Sequence, residues 1–151
     1  MGKKGVAIRR AKQSDLPNII SIENDSFGKD AFSPRQLKYL LKSPNSFFYT
    51  AILNKKPIGY IILLKRKGSK TLRIYSIAID AAARGMGIAN MLIDISKVLV
   101  SKGKFRKLTL EVNENNAPAI NLYHKTGFIL FGHKPNYYHE GPGALRMYYK
   151  P

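Results

Sequence analysis

The chain has no cysteine and no tryptophan among its 151 residues. The missing cysteine excludes a disulfide scaffold, a Cys-ligated zinc site and a thiol nucleophile, and it suits a reducing interior. Acidic residues are scarce: 9 Asp and Glu stand against 26 Lys and Arg, giving a formal charge of +17. Long apolar runs are also missing, because each is broken by Lys, Tyr or Gly, so no segment is expected to span a membrane. The basic start, Met1-Gly2-Lys3-Lys4-Gly5, is expected to be a flexible tail, and no apolar signal-peptide core follows it. The expected location is cytoplasmic. What is there, 44% hydrophobic and 23% charged residues, is a globular composition. The length implies one domain over residues 1–151, large enough to bury a core.

A field of +17 attracts polyanions such as RNA, a ribosome surface or a phosphate-bearing cofactor, and it repels small polycations. It is equally compatible with a solubility or habitat feature that serves no partner. The three histidines, His124, His133 and His139, lack metal-ligand spacing, and no metal is expected.

Hydrophobic periodicity gives the element order. Val6 to Ala11 reads as a strand. A helix follows from Ser14-Asp15-Leu16-Pro17, with Ser14 as its expected N-cap. Leu16, Ile19, Ile20 and Phe27 share one face of that helix, and Glu23 sits in the middle of it, where an unpaired carboxylate is costly. Ser33-Pro34 opens a second helix striped by Leu37, Leu40 and Leu41. Phe47 to Leu53 and Ile58 to Leu64 read as hairpin strands joined by a four-residue loop, Asn54-Lys55-Lys56-Pro57. Leu72 to Ile79 is another strand, followed by a helix with Ile88, Met91, Leu92, Ile95 and Leu99 as its expected buried stripe. After the strand Leu108 to Val112, Asn116 is a candidate cap for a helix from Ala117 to Lys125 that Gly127 closes. Phe128 to Phe131 and Leu145 to Tyr149 complete the strands. Hairpins mixed with β-α-β segments imply an α+β protein with a mixed sheet.

One junction carries chemistry. A strand runs into Arg84-Gly85-Met86-Gly87-Ile88-Ala89 and then a helix. First-turn N–H groups lack intrahelical partners and sit at the positive end of the dipole, and glycine lets a bulky anion approach. An ordinary strand-to-helix turn is the plainer alternative. A dinucleotide fold wants Gly or Ala where Asn90 stands, and a P-loop would need a Gly-Lys-Ser/Thr run that is absent.

The stretch from Leu110-Glu111-Val112 through Asn116-Ala117-Pro118-Ala119-Ile120-Asn121-Leu122-Tyr123 to Gly127-Phe128, taken with Arg84 to Ala89, closely resembles the GCN5-related N-acetyltransferase (GNAT) superfamily. Within it the sequence looks like the RimI-like and archaeal N-terminal acetyltransferases, which often carry a Tyr-Tyr where Asn136-Tyr137-Tyr138 stands. Pro118 departs from the pattern at a position where a first helical turn tolerates it.

The resemblance implies a GNAT-type fold, a mixed sheet of about seven strands with about four helices on its faces. It implies direct transfer of acetyl from acetyl-CoA to an amine. The strand ending Ile77-Ala78-Ile79 would pair with the pantetheine arm. The amides of Arg84, Gly85, Met86, Gly87, Ile88 and Ala89 would hold the pyrophosphate, and Asn116 would contact the cofactor. Glu111 would be the base, usually through water, and Tyr123 the acid that protonates the leaving thiolate. Glu23 is a candidate for orienting the acceptor amine, and Tyr137 and Tyr138 for holding the first peptide units.

Each role has a plainer competitor. Glu111 projects away from Leu108, Leu110 and Val112 and would serve equally as a solvated or ion-paired carboxylate. Tyr123 beside Leu122 would serve as a core aromatic, Glu23 as one half of a salt bridge, and Tyr137 and Tyr138 as strand packing. The expected acceptor is a protein or peptide N-terminus, with ribosomal proteins among the candidates, and the expected state is a monomer. A small-molecule amine or lysine acceptor stays open, and so does a non-catalytic RNA- or ribosome-binding module.

Overall fold

The computed structural model describes residues 5–137 and 141–151. Seven strands form one sheet in the order β1-β2-β3-β4-β5-β7-β6. They are β1 (Val6–Arg10), β2 (Ser46–Leu53), β3 (Lys56–Lys65), β4 (Thr71–Ile79), β5 (Lys107–Asn113), β6 (Ile129–Lys134) and β7 (Ala144–Tyr149). The helices are α1 (Leu16–Phe27), α2 (Pro34–Lys42), α3 (Ile88–Ser101) and α4 (Ala117–Lys125). All pairings are antiparallel except β4 with β5. The expected α+β mixed sheet with helices on its faces is the observed architecture. Among the described residues no helix is long and apolar enough to cross a membrane.

Two apolar clusters divide the faces. One gathers Leu16, Ile19, Ile22, Leu37 and Leu40 of α1 and α2 against Phe48, Tyr60, Ile62 and Ala78. The other gathers Ile88, Leu92, Ile93 and Val100 of α3 and Tyr123 of α4 against Ile61, Leu63, Leu72, Ile74, Leu108, Leu110, Val112 and Met147. Side chains alternate along β5, so Thr109 and Glu111 turn to the α1/α2 face.

Local chemistry departs from the sequence reading in three places. Ser14 is not the cap of α1: it lies in a 3-10 turn, Gln13–Asp15, and Asp15 precedes the helix. The Asp15 carboxylate takes both guanidinium contacts of Arg9, at 2.7 and 3.0 Å, and the Lys12 N–H at 2.7 Å. The β2–β3 loop is two residues long, not four. Leu53 pairs with Lys56, while Asn54 and Lys55 both take left-handed φ, of 51° and 65°. That backbone matches the twist of flanking strands, but a lysine hides it because sequence patterns look for Asn-Gly. The buried line of α3 runs Ile88, Leu92, Ser96, Val100 with Ile93 beside it, whereas Met91, Ile95 and Leu99 are only half-buried.

Two helix N-caps are present, of which only the one at Asn116 is an expected one. Ser33 Oγ accepts from Gln36 N at 3.1 Å, and Asn116 Oδ1 accepts from Ala119 N at 3.2 Å. Pro118 fits in the first turn of α4.

Candidate active site

Two devices in β4 and β5 build the site. A bulge opposite Ile62 and Leu63 leaves Tyr75 as an extra residue: Ile62 pairs with Ser76 and Leu63 with Ile74. The bulge resets the alternation. Tyr75, Ser76 and Ala78 all lie on the α1/α2 face, while Ile74 and Ile77 serve the other core. Immediately beyond, the parallel strands part. Their pairing covers Thr71 to Ile74 with Lys107 to Leu110 and stops there. Ile77, Ala78 and Ile79 therefore pair with β3 on one side only, which leaves a backbone edge for an extended ligand.

The phosphate-loop candidate lies at the end of β4. Asp80 N is tied to Ile58 O at 2.8 Å, and its side chain accepts from Ala82 N at 3.2 Å. Gly85 and Gly87 take φ of 84° and 78°, a region that favours glycine, and a Cβ on Gly85 would meet only open space. The ladder of α3 begins with Met91 N donating to Gly87 O at 3.2 Å. The amides ahead of it are the unpaired first-turn donors of a 14-residue helix. Ile88 is buried against the sheet, Ala89 and Met86 are half-buried, and Arg84 is exposed. This cradle suits a diphosphate. Gly59, which sequence reasoning passed over, lets α3 sit close: a Cβ there would fall 2.9 Å from Ile79 and 3.3 Å from Ile88. A glycine inside a strand pattern was the available signal.

Glu111 is the first residue of β5 beyond the last β4–β5 pair. Its side chain is 7% exposed and ion-paired on both sides, Oε1 to Arg73 Nη2 at 2.5 Å and Oε2 to Arg146 Nε at 3.6 Å. Arg146 is its direct cross-strand partner. Each arginine lies over a ring. Arg73 is 5.4 Å from the Tyr75 centroid, and Tyr75 in turn stacks on Phe32 at 4.7 Å. Arg146 is 4.7 Å from Phe131, which meets Tyr148 edge-on. Arg73 also donates to Tyr137 Oη at 3.1 Å. Burial works against the charge on Arg73, but Glu111 beside it holds the guanidinium above its ordinary range. Neither arginine had been singled out from the sequence, although a cation inside a hydrophobic strand was the visible clue.

Tyr123 is buried on the opposite face, in the α3/α4 cluster, with its ring edge-on to Phe128 at 5.6 Å. Glu111 and Tyr123 thus lie on opposite faces of the sheet, Glu111 where β4 and β5 part. Tyr137 joins the site through Arg73, and Tyr138 lies outside the described residues.

Glu23 is 1% exposed, and among the described residues its partners are hydrogen-bond donors and not a cation. Phe32 N donates to Oε2 at 3.0 Å; Tyr60 Oη and Ser76 Oγ both donate to Oε1. Burial and the adjacent Glu23 push the Tyr60 phenol far above its usual range. The carboxylate ties α1 to the bulged strand and to the segment that carries Phe32. Among the described residues no group of His, Asp and Glu is placed to hold a metal.

The model of the acetyltransferase (GNAT) family matches residues 15–128. The chain belongs to this family. An N-alpha-acetyltransferase from Sulfurisphaera tokodaii is 29% identical over 96% of the chain and 94% of its own length. A putative [ribosomal protein bS18]-alanine N-acetyltransferase from Bacillus subtilis is 28% identical over 97% and 96%. The crystal structure of Ard1 from Thermoplasma volcanium superposes with a TM-score of 0.89 at 24% identity, covering 97% of each chain. The protein is a GNAT N-acetyltransferase whose relatives include RimI-like and N-terminal acetyltransferases, and enzymes of this fold draw acetyl from acetyl-CoA.

Proposed function

We propose that the protein transfers acetyl from acetyl-CoA to the N-terminal α-amino group of a protein or peptide in the cytoplasm. One observation carries this reading: Glu111 stands where β4 and β5 part, on a sheet whose neighbouring strand leads into the left-handed glycines heading α3. The amides of Arg84 to Ala89 would hold the diphosphate, the free edge of Ile77 to Ile79 would align the extended arm, and Asn116 would sit beside it. When bound, acetyl-CoA supplies an acyl group activated as a thioester.

The chain's residues handle the protons. A protonated amine cannot attack, so a base must take its proton, and Glu111 does so through water. As nitrogen bonds the acetyl carbon and the C–S bond breaks, the Tyr123 hydroxyl protonates the departing thiolate. A phenol near pKa ~10 can do this for a thiol of pKa ~8.5 when held close. An α-amine, with pKa ~7.7–8.0, costs roughly 3.5 kcal/mol less to deprotonate at neutral pH than a lysine near ~10.4. A carboxylate base therefore suits the α-amine. The kinship with N-terminal acetyltransferases supports the same acceptor.

Mass spectrometry of a peptide library incubated with acetyl-CoA tests the reading. Acetyl on the leading α-nitrogen is expected. Acetyl confined to lysine side chains, or turnover only with small amines, would overturn it.

A further inference from the structure

Among the described residues, the corner around Glu111 carries more positive than negative charge. Arg73 and Arg146 flank its single carboxylate. Lys134 Nζ lies 5.3 Å over the Tyr137 ring, whose hydroxyl accepts from Arg73. Among the described residues joined by these contacts, three cations face one anion. Their exposures are unequal as well. Glu111 is 7% exposed, whereas the side chains of Arg73 and Arg146 are 38% and 39% exposed. The negative charge is inside, and part of each arginine side chain reaches solvent although both Nε atoms are buried. The rings of Tyr75 and Phe131 pack on the two guanidinium groups, so little ordering remains to be done when a ligand arrives.

We infer that the preferred acceptors carry an aspartate or glutamate within the residues that follow the α-amine, with its carboxylate taken by the terminal guanidinium N–H groups of Arg73 and Arg146. This rests on the N-terminal reading above and names its substrate class. Guanidinium and carboxylate match in shape as well as charge, and their hydrogen bonds are charge-assisted. A basic leading segment would meet like charge at the same place. The overall field of +17 steers acidic chains toward the protein. The excess positive charge also opposes the ammonium form of the incoming amine and so favours the neutral form that attacks.

The test uses three matched peptide series that differ only at the first three residues, which are Asp/Glu, Asn/Gln or Lys/Arg. The expected order of kcat/KM is acidic, then amide, then basic, with roughly ten- to hundredfold between the first two. That ratio should shrink as salt is raised. Arg146→Gln should lower the ratio toward one, whatever it does to the absolute rate, and Arg146→Glu should invert it. Equal efficiency across the three series, or a ratio indifferent to salt, overturns this inference and leaves the N-terminal reading intact. A ratio unmoved by Arg146→Gln also overturns it. Failure to acetylate any α-amine in the three series, with lysine or small amines acetylated instead, overturns the N-terminal reading and this inference with it.

Discussion

Glu111 and Arg146 face each other across the β5–β7 ladder, with Oε2 and Nε 3.6 Å apart, while Arg73 reaches the other carboxylate oxygen from β4. The base candidate is thus fixed from both sides, one strand position beyond the last β4–β5 pair. Fixed geometry is what proton transfer needs, since the reacting atoms must be held within hydrogen-bond reach.

Glu111→Gln keeps the shape and removes the proton acceptor. Turnover should fall by about 10²–10⁴. Binding of coenzyme A, read by calorimetry, should change little, because the glycine loop lies on a different segment. Unchanged turnover would leave Glu111 as an ion-pairing residue alone.

Tyr123 separates chemistry from packing. Tyr123→Phe keeps the ring against Phe128, so turnover should fall by about 10²–10⁴ while the thermal midpoint drops far less than in Tyr123→Ala. Tyr123→Ala empties a buried site and should cost about 3–5 kcal/mol in denaturant unfolding. A Phe variant as active as the parent would return Tyr123 to the core.

The order of elements was legible because periodicity, caps and glycine placement are local signals. Ser33, Asn116 and the glycines at 85 and 87 do what their residue types suggest. The bulge at Tyr75 was not legible. An extra residue in a strand leaves no mark of its own, and strict alternation would put Arg73 and Ile77 on one face. The setting of Glu23 was hidden for another reason. Its position on an apolar stripe marked it as special, but two of its three donors come from residues 37 and 53 positions away on β3 and β4. Nor does any local pattern disclose that Arg146 becomes the partner of Glu111, because strand pairing across such a distance is set by the whole sheet.

The glycine loop should fail selectively. Gly87→Val places a β-branched side chain at φ 78° and crowds the face that would meet a diphosphate. The affinity for coenzyme A should drop by calorimetry, while Gly103→Ala, at a left-handed glycine after α3, should weaken stability but not affinity. Undiminished affinity in Gly87→Val would remove the loop from the site.

Glu23 should prove structurally expensive. Glu23→Ala strands the Phe32 N–H and leaves the Tyr60 and Ser76 hydroxyls only each other, 3.4 Å apart, where a buried group without a partner costs about 1–3 kcal/mol. Urea unfolding should show a loss of about 2–4 kcal/mol. Glu23→Gln, which keeps an acceptor oxygen, should lose less. Near-parent stability in Glu23→Ala would mean that the three donors find other partners.

Acid should weaken the fold through Asp15. Burial alone would raise its pKa, but the contacts with Arg9 and the Lys12 N–H outweigh burial and hold the carboxyl below its ordinary range. A folded-state pKa below the unfolded one makes stability complete above the unfolded value, near ~3.9, and drains it as pH falls through the folded value. Between pH ~5 and pH ~2 the parent should therefore lose stability more steeply than Asp15→Asn, which has no carboxyl to titrate and starts lower at neutral pH. Denaturant midpoints measured across that window give the slope of each, and parallel slopes would show that the Arg9–Asp15 pair contributes nothing to the acid response.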